Sequence, residues 1–213
     1  MAATESGASK SIEIPKIQDS TVEDITNLSE SYRPVSQRYY DHYLWKPQRP
    51  ADATSEDVNQ SGDQDHVILL HSNRVCLVSL APTHPVVKER KKIKCLDFDV
   101  TGKKAKSSLN RLDNKASGKG KKGAQAVDEK SILCWIETES DNVRYPVRSC
   151  VRGKLVEINE RVIKNPQLIV QKPLTEGHIA IILPKLPEGL DDLKKRLVKD
   201  ETRSRGSPLS IDD

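Results

Sequence analysis

The residues of this chain whose types could do chemistry are four cysteines, five histidines and an unusual run of lysines. Cys76, Cys95, Cys134 and Cys150 are widely spaced and sit mostly inside apolar runs. A zinc or dithiol site built on CxxC brings two sulfurs onto one turn, and no such pair occurs here. The expectation is buried, reduced thiols packed as small hydrophobes. His66 and His71 bracket one apolar run, but no carboxylate or further histidine stands at a useful ligand spacing. They read as turn or strand-edge histidines, with no metal. No Ser or Cys nucleophile comes with a paired His and acid at a recognisable motif. HExxH is absent and no carboxylate pair stands out by spacing, so no catalytic residue and no enzymatic role are expected. The sequence Gly118-Lys119-Gly120-Lys121-Lys122-Gly123 is not a P-loop, because no Gly-Lys-Ser/Thr follows and no strong apolar strand leads into it.

The chemistry left is recognition by charge. Residues 102–123 carry Lys103, Lys104, Lys106, Arg111, Lys115, Lys119, Lys121 and Lys122 against one acid, Asp113. Small residues between them predict a flexible loop. Such a loop is either a solvated surface or a docking device that speeds encounter with an acidic partner. It has no interleaved aromatics, which argues against base stacking, although RNA or DNA would satisfy the same electrostatics. Arg144, Arg148, Arg152 and Lys154 form a second basic group. Arg144 and Arg148, four apart in a strand, would share a face and extend the positive surface.

Strands must carry these groups. His66–Leu70 and Arg74–Leu80 read as a hairpin joined at His71-Ser72-Asn73. Residues 93–100 alternate, with Leu96, Phe98 and Val100 inward. Residues 133–137 lead through an Asp141-Asn142 turn, whose residue types tolerate φ > 0, into 143–147. Pro146 confines that strand to an edge or bulge. In 151–158, Gly153 marks a turn or a close backbone approach. Asn159 caps a short helical turn that Pro166 ends. Residues 178–183 are apolar on both faces and predict a central strand. Tyr39, Tyr43 and Leu44 have helical spacing. Residues 37–50 therefore read as a short amphipathic helix, packed on the barrel or exposing Tyr and Trp to a partner. Leu190, Leu193 and Leu197 mark one face of a later helix, either docked or partner-binding.

With 213 residues, 35% hydrophobic and 31% charged, only part of the length can be core. The expected organisation is a disordered arm over 1–36, one domain over 37–186, and a helix with a polar tail over 187–213. The acidic 51–65 stretch reads as a surface loop. The net charge of +4 is mild and not by itself a nucleic-acid signature. No stretch approaches a membrane span and no apolar signal core opens the chain, so an intracellular protein, in cytosol or nucleus, is expected.

The C-terminal half carries a resemblance. Gly153, Glu157, Asn159, Glu160, Asn165, Pro166, Leu168 and Gly177 resemble the glycine cleavage H protein, a barrel-sandwich hybrid related to lipoyl and biotinyl carriers. Residues 71–76, Leu109–Gln125 with Lys115-x-Ser117-Gly118-Lys119, and Ser149–Gly153 are similar, more specifically, to the Abitram (Simiate) family, over about 145 residues. The resemblance implies a mostly β, H-protein-like barrel-sandwich hybrid with short helices and disordered tails. It also implies a non-enzymatic actin-binding protein that modulates filament assembly and filopodial and lamellipodial dynamics, with a transcription-related role in nuclear speckles. Monomeric or filamentous actin would be the partner, and self-association stays open. Lys115, Lys119, Lys121, Lys122, Arg144, Arg148 and Arg152 are the expected partner-binding residues. At the position where the H-protein resemblance places the lipoyl lysine, this chain has Asn142, and no lysine lies between Ser131 and Ser149. No lipoyl group or other cofactor is therefore expected. A degenerate carrier scaffold and an RNA-associated nuclear factor are the alternatives.

Overall fold

The computed structural model describes residues 34–47, 64–101, 109–185 and 188–200. The arm over 1–33, most of the 51–65 stretch, Lys103, Lys104 and Lys106, and the tail from 201 lie outside the described residues. The chain begins with helix α1 (Val35–Tyr39), then strands β1 (Tyr40–Trp45), β2 (His66–His71) and β3 (Cys76–Leu80). Helix α2 (Pro85–Lys88), β4 (Ile93–Asp97), β5 (Ala126–Val127), β6 (Ile132–Thr138) and β7 (Arg144–Arg148) follow. The C-terminal part holds β8 (Gly153–Ile158), α3 (Glu160–Lys164), α4 (Leu168–Gln171), β9 (Ala180–Pro184), α5 (Glu188–Arg196) and β10 (Val198–Asp200). The strands form a seven-stranded sheet, β10-β1-β2-β3-β9-β8-β5, and a three-stranded sheet, β4-β6-β7. Every pairing is antiparallel.

The two sheets share one core. Ile68, Val78, Leu155 and Ile182 from the larger sheet meet Leu133, Ile136 and Val147 from the smaller. A second apolar cluster lies on the other face of the larger sheet, with Val67, Leu69 and Leu77 buried there. β2 and β9 thus have apolar residues on both faces because both faces are at least partly covered. β9 lies between β3 and β8, the central position its sequence predicts. β7 is an edge strand, as Pro146 requires.

One segment departs from its periodicity. Tyr40–Trp45 is a strand, not the amphipathic helix that Tyr39, Tyr43 and Leu44 predict. Its residues pair with β2 on one side and β10 on the other. Tyr43 and Trp45 point into the main core while Tyr40 and Leu44 reach the second cluster, the period-two pattern of a strand. Spacings of four fit both periods, and sheet pairing decided between them. Tyr39 is the one aromatic of this segment left exposed, so an exposed anchor built from all four does not exist.

At the other end, Leu193 and Leu197 enter the main core with Leu190 packed against them, so α5 is docked. The chain then adds β10 beside β1, a strand within residues read as helix and tail. Asn159 caps α3 by accepting from the Arg161 amide at 3.0 Å. It also donates to the carbonyls of Glu176 and His178 at 2.8 and 2.7 Å, tying the cap to the approach into β9.

Candidate functional site

Residues 109–125 form a hairpin tied to the sheet by side-chain hydrogen bonds, where composition alone predicts a flexible loop over 102–123; residues 102–108 lie outside the described residues. Asn110 caps a short 3-10 turn, Arg111–Asp113, by accepting from the Leu112 amide. Arg111 is buried, donating to the Ile132 carbonyl at 3.0 Å and the Gln125 side-chain oxygen at 2.9 Å. Burial lowers the pKa of its guanidinium. It is a structural pin and not part of a cationic surface. Asn114 donates to the carbonyls of Leu155 and Val156 at 2.9 and 3.2 Å and accepts from the Gln125 amide at 2.8 Å. Ser117 and Lys122 exchange backbone bonds of 3.0 and 2.9 Å across the tip. The tip needs left-handed backbone at Gly118 and Lys121. These long-range side-chain bonds hold a segment whose composition alone reads as mobile.

Lys115, Lys119 and Lys122 are exposed on this hairpin and Lys121 is half-buried. Among the described residues no carboxylate pairs with them. Lys154 of β8 donates to the carbonyls of Gly120 and Lys121 at 2.8 and 3.3 Å, pinning the tip to the sheet. Arg152 lies beside it and makes an exposed 3.4 Å ion pair with Asp128. Lys154 and Arg152 line a groove of about 610 Å³ that begins at Gly120.

The two β7 arginines do not extend this surface as the sequence predicts. Arg144 is 2.5 Å from Asp97 and 3.1 Å from Glu137, with its guanidinium 5.2 Å from the centre of the Trp135 ring. Its charge is matched locally. Arg148, at the other end of β7, donates to the Lys130 carbonyl at 2.6 Å, while its backbone amide donates to His66 Nε2 at 3.1 Å. The structure therefore groups Lys119, Lys121 and Lys122 with Arg152 and Lys154, and separates Arg144 from them.

Asn142 is exposed in the turn between β6 and β7. The turn is tied from below by Lys91, a residue nothing in the local sequence marks. Lys91 contacts Asp141 and donates to the Tyr145 hydroxyl at 3.0 Å. Thr138 and Tyr145 also donate to Asp141, at 2.6 and 3.0 Å. Burial favours neutral Asp141, but these bonds outweigh it and hold its carboxyl down at about 2. Burial likewise disfavours charged Lys91, and its bonds to Asp141 and Tyr145 outweigh that, raising its pKa. This amine is largely buried and paired, unlike one offered at the apex of a hairpin.

His42, His66 and His84 are buried, whereas His71 ends β2 at the turn its sequence position predicts and His178 is half-buried. His66 Nδ1 meets the Gln64 carbonyl at 2.7 Å, which assigns Nδ1 the proton and leaves Nε2 to accept from Arg148. His84 accepts from the Val86 amide through Nδ1 at 3.2 Å, and its buried Nε2 has no partner among the described residues. Trp45, His66, His84 and Tyr145 touch edge to face in sequence through the core. Cys76, Cys134 and Cys150 are buried. Burial pushes the Cys76 thiol up to about 12 and raises Cys134 as well, so both stay protonated.

Comparison with known proteins places this frame. The sequence model of the glycine cleavage H-protein family matches residues 119–205. The chain is 41% identical to Protein Abitram of Homo sapiens over 159 residues, 75% of this chain and 81% of the relative. It is 43% identical to Protein Abitram of Xenopus tropicalis over 132 residues, 62% of this chain and 69% of the relative. Protein Abitram of Drosophila melanogaster is 34% identical over 175 residues, 82% of this chain and 71% of the relative. Among solved structures, a glycine cleavage system H protein from Mycobacterium marinum is similar with a TM-score of 0.39 and 12% identity, over 68% of this chain and 84% of that one. The fold is mostly β with an H-protein-like domain, the barrel-sandwich hybrid that the sequence resemblance implies. The chain belongs to the Abitram family.

Proposed function

We propose that this chain is a non-enzymatic actin-binding protein that modulates filament assembly in actin-rich cell projections and also works in the nucleus. The observation that carries the reading is the hairpin of Lys115, Lys119, Lys121 and Lys122, tied to β8 by Asn114 and Lys154 and closed at its root by the Asn114–Gln125 bond. A cationic surface fixed before encounter loses little entropy on docking and steers toward an acidic partner. Long-range steering of this kind weakens as salt shortens the Debye length. Asn142 at the exposed hairpin turn supports a recognition body on a carrier-type frame, without a lipoyl arm.

Actin co-sedimentation with the full chain tests the proposal. The triple variant Lys119→Glu, Lys121→Glu, Lys122→Glu is expected to bind about tenfold more weakly and to fail at lower salt than the parent. Binding by the variant equal to the parent's across salt removes the hairpin from the actin site. No co-sedimentation by the parent ends the actin reading.

A further inference from the structure

Ser117 stands in the middle of the lysine hairpin. Its backbone exchanges bonds of 3.0 and 2.9 Å with Lys122, so the two residues are directly opposed in an antiparallel pair. Side chains of such a pair leave the same face about 5 Å apart. Along the chain, Lys115 lies two residues before Ser117 and Lys119 two residues after it. Ser117 is exposed, and its hydroxyl makes no hydrogen bond among the described residues. Nor is Lys115, Lys119, Lys121 or Lys122 paired with a described carboxylate. Other exposed hydroxyls have acidic surroundings. Thr83 and Thr101 donate to Asp65 and Asp99, and Ser140 stands between Glu139 and Asp141.

We infer that Ser117 is a phosphorylation site for a protein kinase selective for basic substrates, and that phosphate there switches off the cationic surface of the hairpin. Such a kinase reads charge around its serine, and lysines at the second position on either side supply it. Two backbone bonds close the hairpin at this point and Gly118 and Gly120 follow it, so a local opening presents Ser117 as extended chain. The step moves the terminal phosphoryl group of ATP to Ser117 Oγ. The bond from that phosphorus to the ADP oxygen breaks, the Oγ–P bond forms, and the hydroxyl proton passes to the base of the kinase.

A phosphoserine brings a charge of about −2 and strong acceptor oxygens. Set against the four hairpin lysines, it leaves a surplus of about two. Lys122, opposite on the same face, reaches those oxygens with its ammonium. An acidic partner then meets a surface half neutralised, with a fixed anion at its middle. The inference rests on the hairpin being a docking surface for an acidic partner, and it gives that surface its regulation.

Incubation of the full chain with ATP and the catalytic domain of protein kinase C, read by intact and peptide mass spectrometry, tests the site. The parent takes a phosphate on Ser117, and Ser117→Ala takes one fewer. No phosphate on Ser117 overturns the site. Binding of the treated and untreated chains to actin and to poly-L-glutamate tests the switch. Both affinities of the parent fall about tenfold on phosphorylation, and Ser117→Glu, with one charge in place of about two, falls less. Kinase-treated Ser117→Ala keeps its affinity; an equal fall there assigns the effect to another phosphate and overturns the switch. The two ligands separate this inference from the actin reading. A parent that binds poly-L-glutamate but not actin ends the actin reading, while the switch stands on the weakened poly-L-glutamate binding. Binding to either ligand that phosphate on Ser117 leaves unchanged ends the switch and leaves the actin reading in place.

Discussion

Asn114 holds β8 with its side chain, reaching the carbonyls of Leu155 and Val156 while accepting from the Gln125 amide. One amide group thus does the work of a missing sheet neighbour. β5 is only two residues long and pairs β8 at Gly153 and Lys154 alone. Beyond that point the Leu155 amide still donates to the Gln125 carbonyl at 2.9 Å, and Asn114 takes up the Leu155 and Val156 carbonyls at the root of the lysine hairpin.

Asn114→Ala removes three hydrogen bonds at once and exposes carbonyls that water reaches poorly. The expected loss is about 2–3 kcal/mol of unfolding free energy, read from urea denaturation. Amide exchange over 115–125 should also accelerate, because the hairpin loses its anchor. Unchanged exchange would show that Arg111 and Lys154 hold the hairpin without Asn114.

The Lys91–Asp141 pair predicts an acid limit with a defined sign. Asp141 has its carboxyl depressed from 3.8 to about 2, so it contributes stability above pH 3.8 that is lost as pH falls toward 2. Lys91 is raised from 10.5, so its contribution is full below that pH and is lost only in strong base. Asp141→Asn should cost about 1–3 kcal/mol at neutral pH, since it leaves a largely buried ammonium with one partner fewer. The difference from the parent should shrink as pH is lowered through the Asp141 titration, measured by denaturation at each pH.

His84 titrates in a separate window. Burial, then the nearby His66 and Lys91, hold its pKa well below 6.5. The folded state keeps it neutral while the unfolded chain takes up a proton below 6.5, so stability is lost as pH falls through that value. His84→Gln should flatten the decline below about pH 6.5, at a cost of about 1 kcal/mol at neutral pH. A pH profile identical to the parent's would exclude His84 as its origin.

Gly153 tests the packing of β8 on β9. A Cβ there would lie 2.3 Å from the Leu183 carbonyl oxygen and 3.0 Å from Pro184 Cα, both backbone atoms of the neighbouring strand. Neither yields without moving the strand. Gly153→Ala should destabilise by about 2–4 kcal/mol and lower the melting temperature accordingly. Gly118→Ala, where a Cβ meets nothing within 4 Å but φ is +65°, should cost only about 1 kcal/mol.

Local chemistry made much of this legible in advance. The β2–β3 hairpin, Pro146 on an edge, the Asn159 cap and the close approach at Gly153 each follow from a few adjacent residues, because period, cap and glycine act over one or two turns, whereas the chain turns through Asp141 and Asn142 without the positive φ their types suggested. Gly153 and Asn159 are also among the residues that carry the resemblance to the H-protein frame. Tertiary structure decided what lies between distant segments. Tyr40–Trp45 became a strand because β2 and β10 were there to pair with it, and β10 formed because β1 offered it an edge. Arg111 left the cationic run for the core because the Ile132 carbonyl and Gln125 met its guanidinium. Arg144 was neutralised by Asp97 across the sheet, while Arg152 and Lys154 were brought to the hairpin tip. A side chain's charge is written in the sequence. Whether that charge faces solvent, a carboxylate or a carbonyl depends on neighbours tens of residues away, which only the folded sheets bring into range.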